Sequence, residues 1–349
     1  MSRKWIFCII AVFAVYAVFS LGLVGSAKSA GPAKTIELRF AHHDPPNGPG
    51  GRSTAAWAKK VEEATKGKVK ITMYPASALA KGNATFDAVK SKVAHIGWSV
   101  NGLYAGRFPL TDLLSQPFIG VESSTEGSLA LWNNYQKFPE VRAEYDDVKV
   151  LVLHTHQGAP IGTRKVAVKR LDDLKGLKIR ATAGGALQWL KAVGAAPLTM
   201  PPFDIYTNME KGVIDGWTID LIGAEGFKIF EVTDYYTSPY YYVNTFWVVM
   251  NKDVWASLPA DVQQAIESVS GVWAIKNIFG ANWDAGDKES IKRMGITADQ
   301  MFTLPEGDIA KSKEISKSVW AKEIAKLEAQ GKPAQKIFDE TLRFLKAYK

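Results

Sequence analysis

The residues best suited to bind a small organic anion lie around the ends of predicted strands. In open α/β sheets, ligands bind outside the carboxyl ends of the strands, so the segments near Ala41, Val100, Leu153 and Arg180 are expected to form the site. Their side chains carry imidazole, indole, amide, phenol and guanidinium groups, namely those of His42, His43, Trp98, Asn101, Tyr104, His154, His156 and Arg180. A guanidinium stays charged and presents parallel donors to both oxygens of a carboxylate. This set of groups favours the binding of an organic carboxylate.

The histidines allow a second chemistry, metal binding. His154 and His156 lie two apart in a predicted strand and share a face, as two ligands of one ion would. His42 and His43 precede Asp44, but neither pair has further ligands at a recognised spacing. We therefore expect hydrogen bonding in the pocket or a structural role for these histidines, and no metal or other cofactor.

The amino-terminal residues have the pattern of a signal peptide over residues 1–27. A basic start precedes an almost wholly apolar stretch at residues 5–24, and Gly25, Ser26 and Ala27 supply the small residues that signal peptidase requires. This pattern predicts export across the cytoplasmic membrane to the periplasm. Cys8 is the only cysteine, so the mature chain would contain no disulfide and no cysteine nucleophile. A retained leader that anchors a sensory binding domain is an alternative.

Composition indicates a globular protein with two lobes. The chain has 349 residues, of which 47% are hydrophobic and 22% are charged, and single domains are seldom so long. Its formal net charge is +8. Lys and Arg are scattered rather than clustered, so we expect no nucleic-acid partner.

Predicted strands and helices alternate along the chain, which is typical of a mixed or parallel sheet covered by helices. Strands are predicted at residues 35–41, 69–75, 95–100, 148–153, 178–180 and 246–250. Helices are predicted at residues 52–65, 85–92, 187–193, 203–211, 260–292 and 306–348. The continuous apolar run at residues 246–250 indicates a strand that is buried on both faces.

Residues 171–180, with the sequence LDDLKGLKIR, carry a resemblance to a known family. The segment is similar to a motif of the DctP-type solute-binding proteins of tripartite ATP-independent periplasmic (TRAP) transporters. Further similarities follow in the same order as in that family, at Ala192-Val193-Gly194-Ala195, Met200-Pro201-Pro202, Tyr206, Asp215-Gly216 and Val249-Met250-Asn251-Lys252. The resemblance covers most of the chain after the leader.

The resemblance implies an α/β, two-lobed periplasmic binding protein fold with a hinged central cleft and a long connecting helix. Lobe I would comprise residues 34–153 and about 244–282, and lobe II residues 154–243 and about 283–349. In the family, an arginine at the position of Arg180 pairs with the carboxylate of the ligand, and membrane subunits of a TRAP transporter receive that ligand. We expect a monomer, with docking of a second copy on the last helix as the alternative.

Departures from the family pattern bear on the ligand. Some sialic-acid-binding members carry a second arginine and an asparagine where this chain has Pro160 and Ile219. Polar contacts for a densely hydroxylated sugar acid are therefore missing, which favours an aromatic acid or another monocarboxylate. The predicted ligand-binding residues are Arg180, Trp98, Trp217, Tyr104, Asn101, His42, His156 and Phe203.

An exported enzyme acting on organic acids is the main alternative. The sequence contains no nucleophile elbow, no zinc-binding helix motif and no paired catalytic carboxylates at a motif spacing. Gly184 and Gly185 are not followed by the Lys-Ser/Thr of a phosphate-binding loop. We therefore predict a binding protein that is not an enzyme.

Overall fold

The structure, a computed structural model, describes residues 35–348, which form a five-stranded and a six-stranded sheet covered by helices. The predicted signal peptide lies outside the described residues. The strands are β1 (Ile36–His42), β2 (Val69–Tyr74), β3 (Ile96–Val100), β4 (Val148–Thr155), β5 (Ile161–Thr163), β6 (Ile179–Ala181), β7 (Leu198–Thr199), β8 (Gly216–Thr218), β9 (Tyr235–Ser238), β10 (Thr245–Asn251) and β11 (Met301–Thr303).

Helices cover the faces of both sheets. They are α1 (Pro49–Ala64), α2 (Thr85–Lys90), α3 (Ser124–Lys137), α4 (Pro139–Ala143), α5 (Gly185–Ala192), α6 (Ile205–Glu210), α7 (Leu221–Gly226), α8 (Lys252–Ser257), α9 (Ala260–Ser268), α10 (Gly271–Ala274), α11 (Gly280–Met294), α12 (Glu306–Glu328) and α13 (Ala334–Tyr348). A π-helical turn, Ile275–Phe279, joins α10 to α11. No helix among the described residues is long and apolar enough to cross a membrane.

The first sheet has the strand order β2-β1-β3-β10-β4. Strands β1, β2 and β3 are parallel, whereas β10 runs antiparallel to both β3 and β4. Every residue of β10 is buried, as the apolar run predicts. Its alternate side chains enter different cores, because Trp247 and Val249 pack on one face of the sheet and Phe246 and Val248 on the other.

The second sheet has the strand order β11-β9-β5-β8-β6-β7 and consists of short strands. Strand β6 is only three residues long, but it is parallel to both β7 and β8, with Arg180 opposite Leu198 and Trp217. Its pairing on both sides fixes the backbone direction of Arg180. The sheet therefore holds this side chain at a defined position near the carboxyl ends of parallel strands.

The chain leaves the first sheet at Thr155 and returns to it at Thr245, after it has formed most of the second sheet. Thr155 and Thr245 are paired directly across β4 and β10. The two sheets have separate apolar cores. The predicted two-lobed α/β fold is confirmed.

Two predicted helical stretches are each divided. The stretch 260–292 is interrupted after Ser268, and α10 begins at Gly271, which has a positive φ of 51°. The stretch 306–348 is interrupted near Gly331 and Pro333, since proline cannot continue the hydrogen bonding of a helix interior. The last helix, α13, packs on α3, where Asn134 Nδ2 donates to Thr341 Oγ1 at 2.7 Å. The exact division between the lobes stays a prediction.

Candidate functional site

Residues from both sheets line one cavity. Trp98 and Phe246 reach it from the first sheet, and Arg180 and Asp220 reach it from the second. The cavity is small, which suits a small ligand rather than an extended one. The residues that line it are largely shielded from bulk solvent.

Arg180 places a buried positive charge at this cavity. Its side chain is 1% exposed. Nε donates to the carbonyl oxygen of Met200 at 2.9 Å, and Nη1 donates to that of Thr218 at 3.1 Å. Within residues 35–348 it makes no ion pair with a carboxylate, and Nη2 donates no hydrogen bond. Burial lowers the pKa of Arg180. A fixed guanidinium with free donors and no counter-ion is a site for an anion.

Aromatic rings form one wall of the cavity. Trp98 makes stacked contacts with Phe246, at a centroid distance of 5.3 Å, and with His43, at 5.0 Å. Its Nε1 donates to His154 Nε2 at 2.8 Å, which fixes the orientation of the indole. Trp283 packs beside Phe246 at 5.9 Å. Such a wall suits a flat ligand body, because offset stacking adds to the gain from burying apolar surface.

Two aspartates also line the cavity. Asp44 is 3% exposed, and its Oδ2 accepts from the backbone N–H of Gly50 at 2.8 Å. Burial, with a contribution from the neighbouring Asp220, raises the pKa of Asp44 to about 7. Asp220 is 4% exposed and caps α7 by accepting from the N–H of Gly223 at 2.8 Å. These groups give the cavity hydrogen-bond acceptors in addition to the cation.

Thr182 and Asn244 complete the polar lining. Thr182 Oγ1 donates to Asn244 Oδ1 at 2.7 Å. The backbone N–H of Asn244 donates to His156 Nε2 at 2.9 Å. His156 therefore lies behind the cavity and positions a residue that faces it.

Similarity to known proteins agrees with this geometry. The family model of the bacterial extracellular solute-binding proteins, family 7 (DctP), matches residues 40–327. The chain belongs to this family. The resemblance that the motifs indicate is thereby confirmed.

Sequence relatives of this family 7 protein include transport proteins. The outer membrane transporter protein TsaT of Comamonas testosteroni is 31% identical over 62% of this chain and 64% of its own length. The 2,3-diketo-L-gulonate-binding periplasmic protein YiaO of Escherichia coli is 27% identical over 60% of this chain and 63% of its own. The chain thus matches a little under two thirds of the length of these two curated relatives.

Solved structures of TRAP solute-binding proteins are similar over most of the chain. One from Rhodoferax ferrireducens, in complex with copurified benzoate, has a TM-score of 0.84 and 25% identity over 90% of this chain and 98% of that chain. A marine metagenome protein specific for aromatic acid ligands, in complex with 3-hydroxybenzoate, has a TM-score of 0.85 and 26% identity over 90% and 99%. The two-lobed fold of the family 7 protein is therefore shared with these receptors.

Of the predicted site residues, the structure brings Arg180 and Trp98 to the cavity. His156 contacts the lining residue Asn244. His42 is buried behind the wall, with its ring edge-on to that of Trp98 at 6.3 Å, and burial lowers its pKa to about 4. It is therefore a neutral packing residue rather than a lining one.

The structure does not place the other four predicted residues at the cavity. Trp217 is fully buried in a core of the second sheet, where its Nε1 donates to Thr233 Oγ1 at 2.8 Å. The ring of Tyr104 packs in a core of the first sheet, and its hydroxyl donates to the carbonyl oxygen of Gly82. Asn101 donates to the hydroxyl of Tyr145 at 3.3 Å, and Phe203 is 50% exposed on the surface.

Several lining residues, chiefly Asp220 and Asn244, are absent from the predicted set. Asp220 follows the end of β8 by two residues. Since ligands bind outside the carboxyl ends of strands, its position in the sequence could have identified it. Asn244 precedes β10, and β10 is antiparallel to its neighbours, so its amino end lies where their carboxyl ends lie. This direction cannot be read from the sequence alone.

The histidine pairs do not assemble a metal site in the part of the chain that the structure describes. No group of three or more His, Cys, Asp or Glu side chains among residues 35–348 is arranged to hold a metal ion. Burial lowers the pKa of His43 and of His154 to about 3. Both rings are therefore neutral and act through stacking and hydrogen bonding.

Proposed function

We propose that the chain is an extracytoplasmic receptor that captures a small monocarboxylate with a flat, aromatic body and delivers it to the membrane subunits of a TRAP transporter. The observation that carries this proposal is the buried Arg180, which has no carboxylate partner within residues 35–348 and lies beside the wall formed by Trp98 and Phe246. The guanidinium would bind the carboxylate of the ligand, and the rings would stack on its body.

Known ligands of similar receptors support the aromatic preference. The Rhodoferax ferrireducens protein holds benzoate, and the marine metagenome protein holds 3-hydroxybenzoate. A receptor from Bordetella bronchiseptica, 25% identical to this chain, holds mandelate. The pattern of a signal peptide at residues 1–27 supports delivery to the periplasm, and sequencing of the mature amino terminus would test it.

An exported enzyme remains the second interpretation of the sequence, and the cavity favours binding instead. The charged and aromatic groups there are held in place by fixed hydrogen bonds and stacking, while some of their donors and acceptors stay free for a ligand, which suits recognition. A ligand that binds but is recovered unchanged after prolonged incubation supports the receptor. Conversion of that ligand would contradict it.

The first experiment is a thermal-shift screen of benzoate, phenylacetate, aliphatic monocarboxylates and sugar acids with wild type and Arg180→Met. A ligand at a hundred times its dissociation constant stabilises the folded state by about 2.7 kcal/mol, which raises the Tm by roughly 5 °C for a chain of this size. We expect such a shift with an aromatic monocarboxylate in wild type and none in Arg180→Met. Mass spectrometry of small molecules released on denaturation would identify a copurified ligand.

Arg164→Met is the matched control. Arg164 comes directly after β5 of the second sheet. Like Arg180, it donates to two carbonyl oxygens, those of Met209 and Glu210, at 3.1 and 3.2 Å. It does not line the cavity. Its substitution should leave the ligand-induced shift in place. A full shift in Arg180→Met would contradict the proposed anchor.

A further inference from the structure

Asp44 and Asp220 both line the cavity, and one carboxylate oxygen of each makes no hydrogen bond within residues 35–348. Asp44 Oδ2 and Asp220 Oδ1 accept backbone N–H groups, both at 2.8 Å. Asp44 Oδ1 and Asp220 Oδ2 accept no hydrogen bond from any residue that the structure describes. Both residues line the ligand cavity, so these oxygens are available to a hydrogen-bond donor on the ligand.

Within residues 35–348, neither Asp44 nor Asp220 forms a salt bridge with a lysine or an arginine. The nearest basic atom to Asp44 Oδ1 is His43 Nε2, at 3.6 Å. His43 is neutral, because burial lowers its pKa to about 3. Arg52 contributes to the potential at Asp44 but makes its own hydrogen bond to the carbonyl oxygen of Asn47. Above about pH 7, where its carboxyl group is ionised, Asp44 therefore keeps its capacity to accept.

The acidic groups are also separate from the cationic group in the same cavity. Arg180 makes no ion pair with Asp44 or Asp220, and neither aspartate contributes to the charge environment that shifts its pKa. Its guanidinium is held instead by the carbonyl oxygens of Met200 and Thr218. The cavity thus has a donor region and an acceptor region that the protein does not connect.

A ligand connects the two regions if it carries a carboxylate for Arg180 and a hydrogen-bond donor elsewhere on its body. A bare aromatic acid would displace water from the aspartates and leave their oxygens unpaired. A site built to accept from a hydroxyl discriminates strongly against the analogue that lacks it, whereas an apolar pocket discriminates weakly.

Building on the proposed carboxylate receptor, we propose that Asp44 and Asp220 bind a hydrogen-bond donor of the ligand, so that the ligand is a carboxylate that also carries a hydroxyl or a protonated amine. Both substituents supply the same N–H or O–H donor chemistry. They differ in charge, so affinity measurements separate them.

The test is a calorimetric titration of wild type with benzoate, the three hydroxybenzoates and the three aminomethylbenzoates. We expect at least one substituted isomer to bind about tenfold or more tightly than benzoate, which corresponds to about 1.4 kcal/mol. A hydroxyl preference identifies a neutral donor, and an aminomethyl preference identifies a cationic one. Either outcome supports the inference.

The variants Asp44→Asn and Asp220→Asn then assign the preference to these residues. Asparagine keeps a carbonyl oxygen for the backbone N–H of Gly50 or Gly223 but loses the negative charge. We expect the ratio of the affinities for the preferred isomer and for benzoate to fall about tenfold in at least one variant. Using a ratio within each variant removes any general loss of folding or of carboxylate binding.

Asp284→Asn is the matched control, since Asp284 accepts from the backbone N–H groups of Ser124 and Thr125 outside the cavity. Its affinity ratio should equal that of wild type. If benzoate binds but no substituted isomer is preferred, or if the ratio survives in both aspartate variants, the inference is overturned while the proposed function stands. If none of these carboxylates binds, the proposed function fails and this inference fails with it.

Discussion

His154 shows how a buried residue behind the site determines the shape of the wall. Its Nε2 accepts from Trp98 Nε1 at 2.8 Å, and its Nδ1 lies 3.3 Å from the carbonyl oxygen of Thr155. The imidazole is therefore neutral, with its proton on Nδ1. Its plane lies almost parallel to that of Phe246, at a centroid distance of 4.8 Å. The two rings hold the indole in one orientation.

The neutral state of His154 predicts a specific pH dependence. Burial lowers the pKa of His154 to about 3 from an unfolded value of 6.5, so the unfolded chain takes up a proton first as the pH falls. The stabilisation from this residue is complete above pH 6.5 and is lost toward pH 3. Relative to His154→Gln, which does not titrate, wild type should lose about 1 kcal/mol of unfolding free energy between pH 6.5 and pH 5.5. Urea unfolding at both pH values measures the difference, and an unchanged difference would show that the histidine is charged in the folded state.

At the scale of single residues, the sequence predicts the charged anchor better than the packing. Arg180 follows from a motif and from its position on a strand. Trp98 and Trp217 are equivalent in the sequence, since each is an indole within a short strand, but one lines the cavity and the other lies in a core. Only the twist and pairing of the sheets decide which face each ring occupies.

At the scale of elements, the first turn of α1 is packed directly against the site. Gly50 donates to Asp44, and a Cβ atom at Gly50 would lie 2.3 Å from Cη2 of Trp98 and 2.7 Å from Oδ2 of Asp44. No real Cβ atom tolerates such distances, so the helix can begin here only because residue 50 has no side chain. The start of the helix and the wall of the cavity thus depend on one another.

Gly50→Ala should therefore disturb both stability and binding. We expect a loss of roughly 1–3 kcal/mol in unfolding free energy, which is typical of overpacking in a well-packed interior, and a smaller thermal shift with the bound carboxylate. Gly307→Ala, in the first turn of α12 where the added methyl meets nothing within 4 Å, should instead be neutral or stabilise by roughly 0.5–1 kcal/mol. Equal stability of the two variants in urea would refute the close packing of α1 on Trp98.

The sequence predicts long or strongly apolar elements well and short ones poorly. Strands β1, β2, β3, β4 and β10 match the predicted positions within about two residues. Strands β5, β7, β9 and β11, of two to four residues each, are stabilised by their neighbours and have no pattern of their own. Helix α3 also went unpredicted, although Ser123 caps it by accepting from Glu126 N–H in a Ser-x-x-Glu pattern.

At the scale of the whole molecule, the ligand site depends on both sheets at once. Trp98 belongs to the first sheet and Arg180 to the second, and each lobe has its own core. A ligand bound to both residues would hold the two sheets together. In the empty receptor, separation of the sheets would break only a few contacts. We therefore expect occupancy and closure to be coupled.

Small-angle X-ray scattering tests this coupling. The radius of gyration of wild type should decrease when a monocarboxylate that binds to the receptor is added. Arg180→Met should show no decrease with the same compound, while Arg164→Met should behave as wild type. An identical radius of gyration with and without a ligand that demonstrably binds would contradict closure.

The central position of β10 has a further consequence for how the protein acquires its structure. Strand β4 joins the first sheet only through β10, which lies between it and β3, and β10 comes almost one hundred residues later in the chain. Residues 36–155 therefore cannot complete their sheet while the chain is still being synthesised up to residue 244. Long-range pairing of this kind is slow to form. The first sheet therefore stays incomplete until the seven residues of β10 have been synthesised, after most of the other lobe.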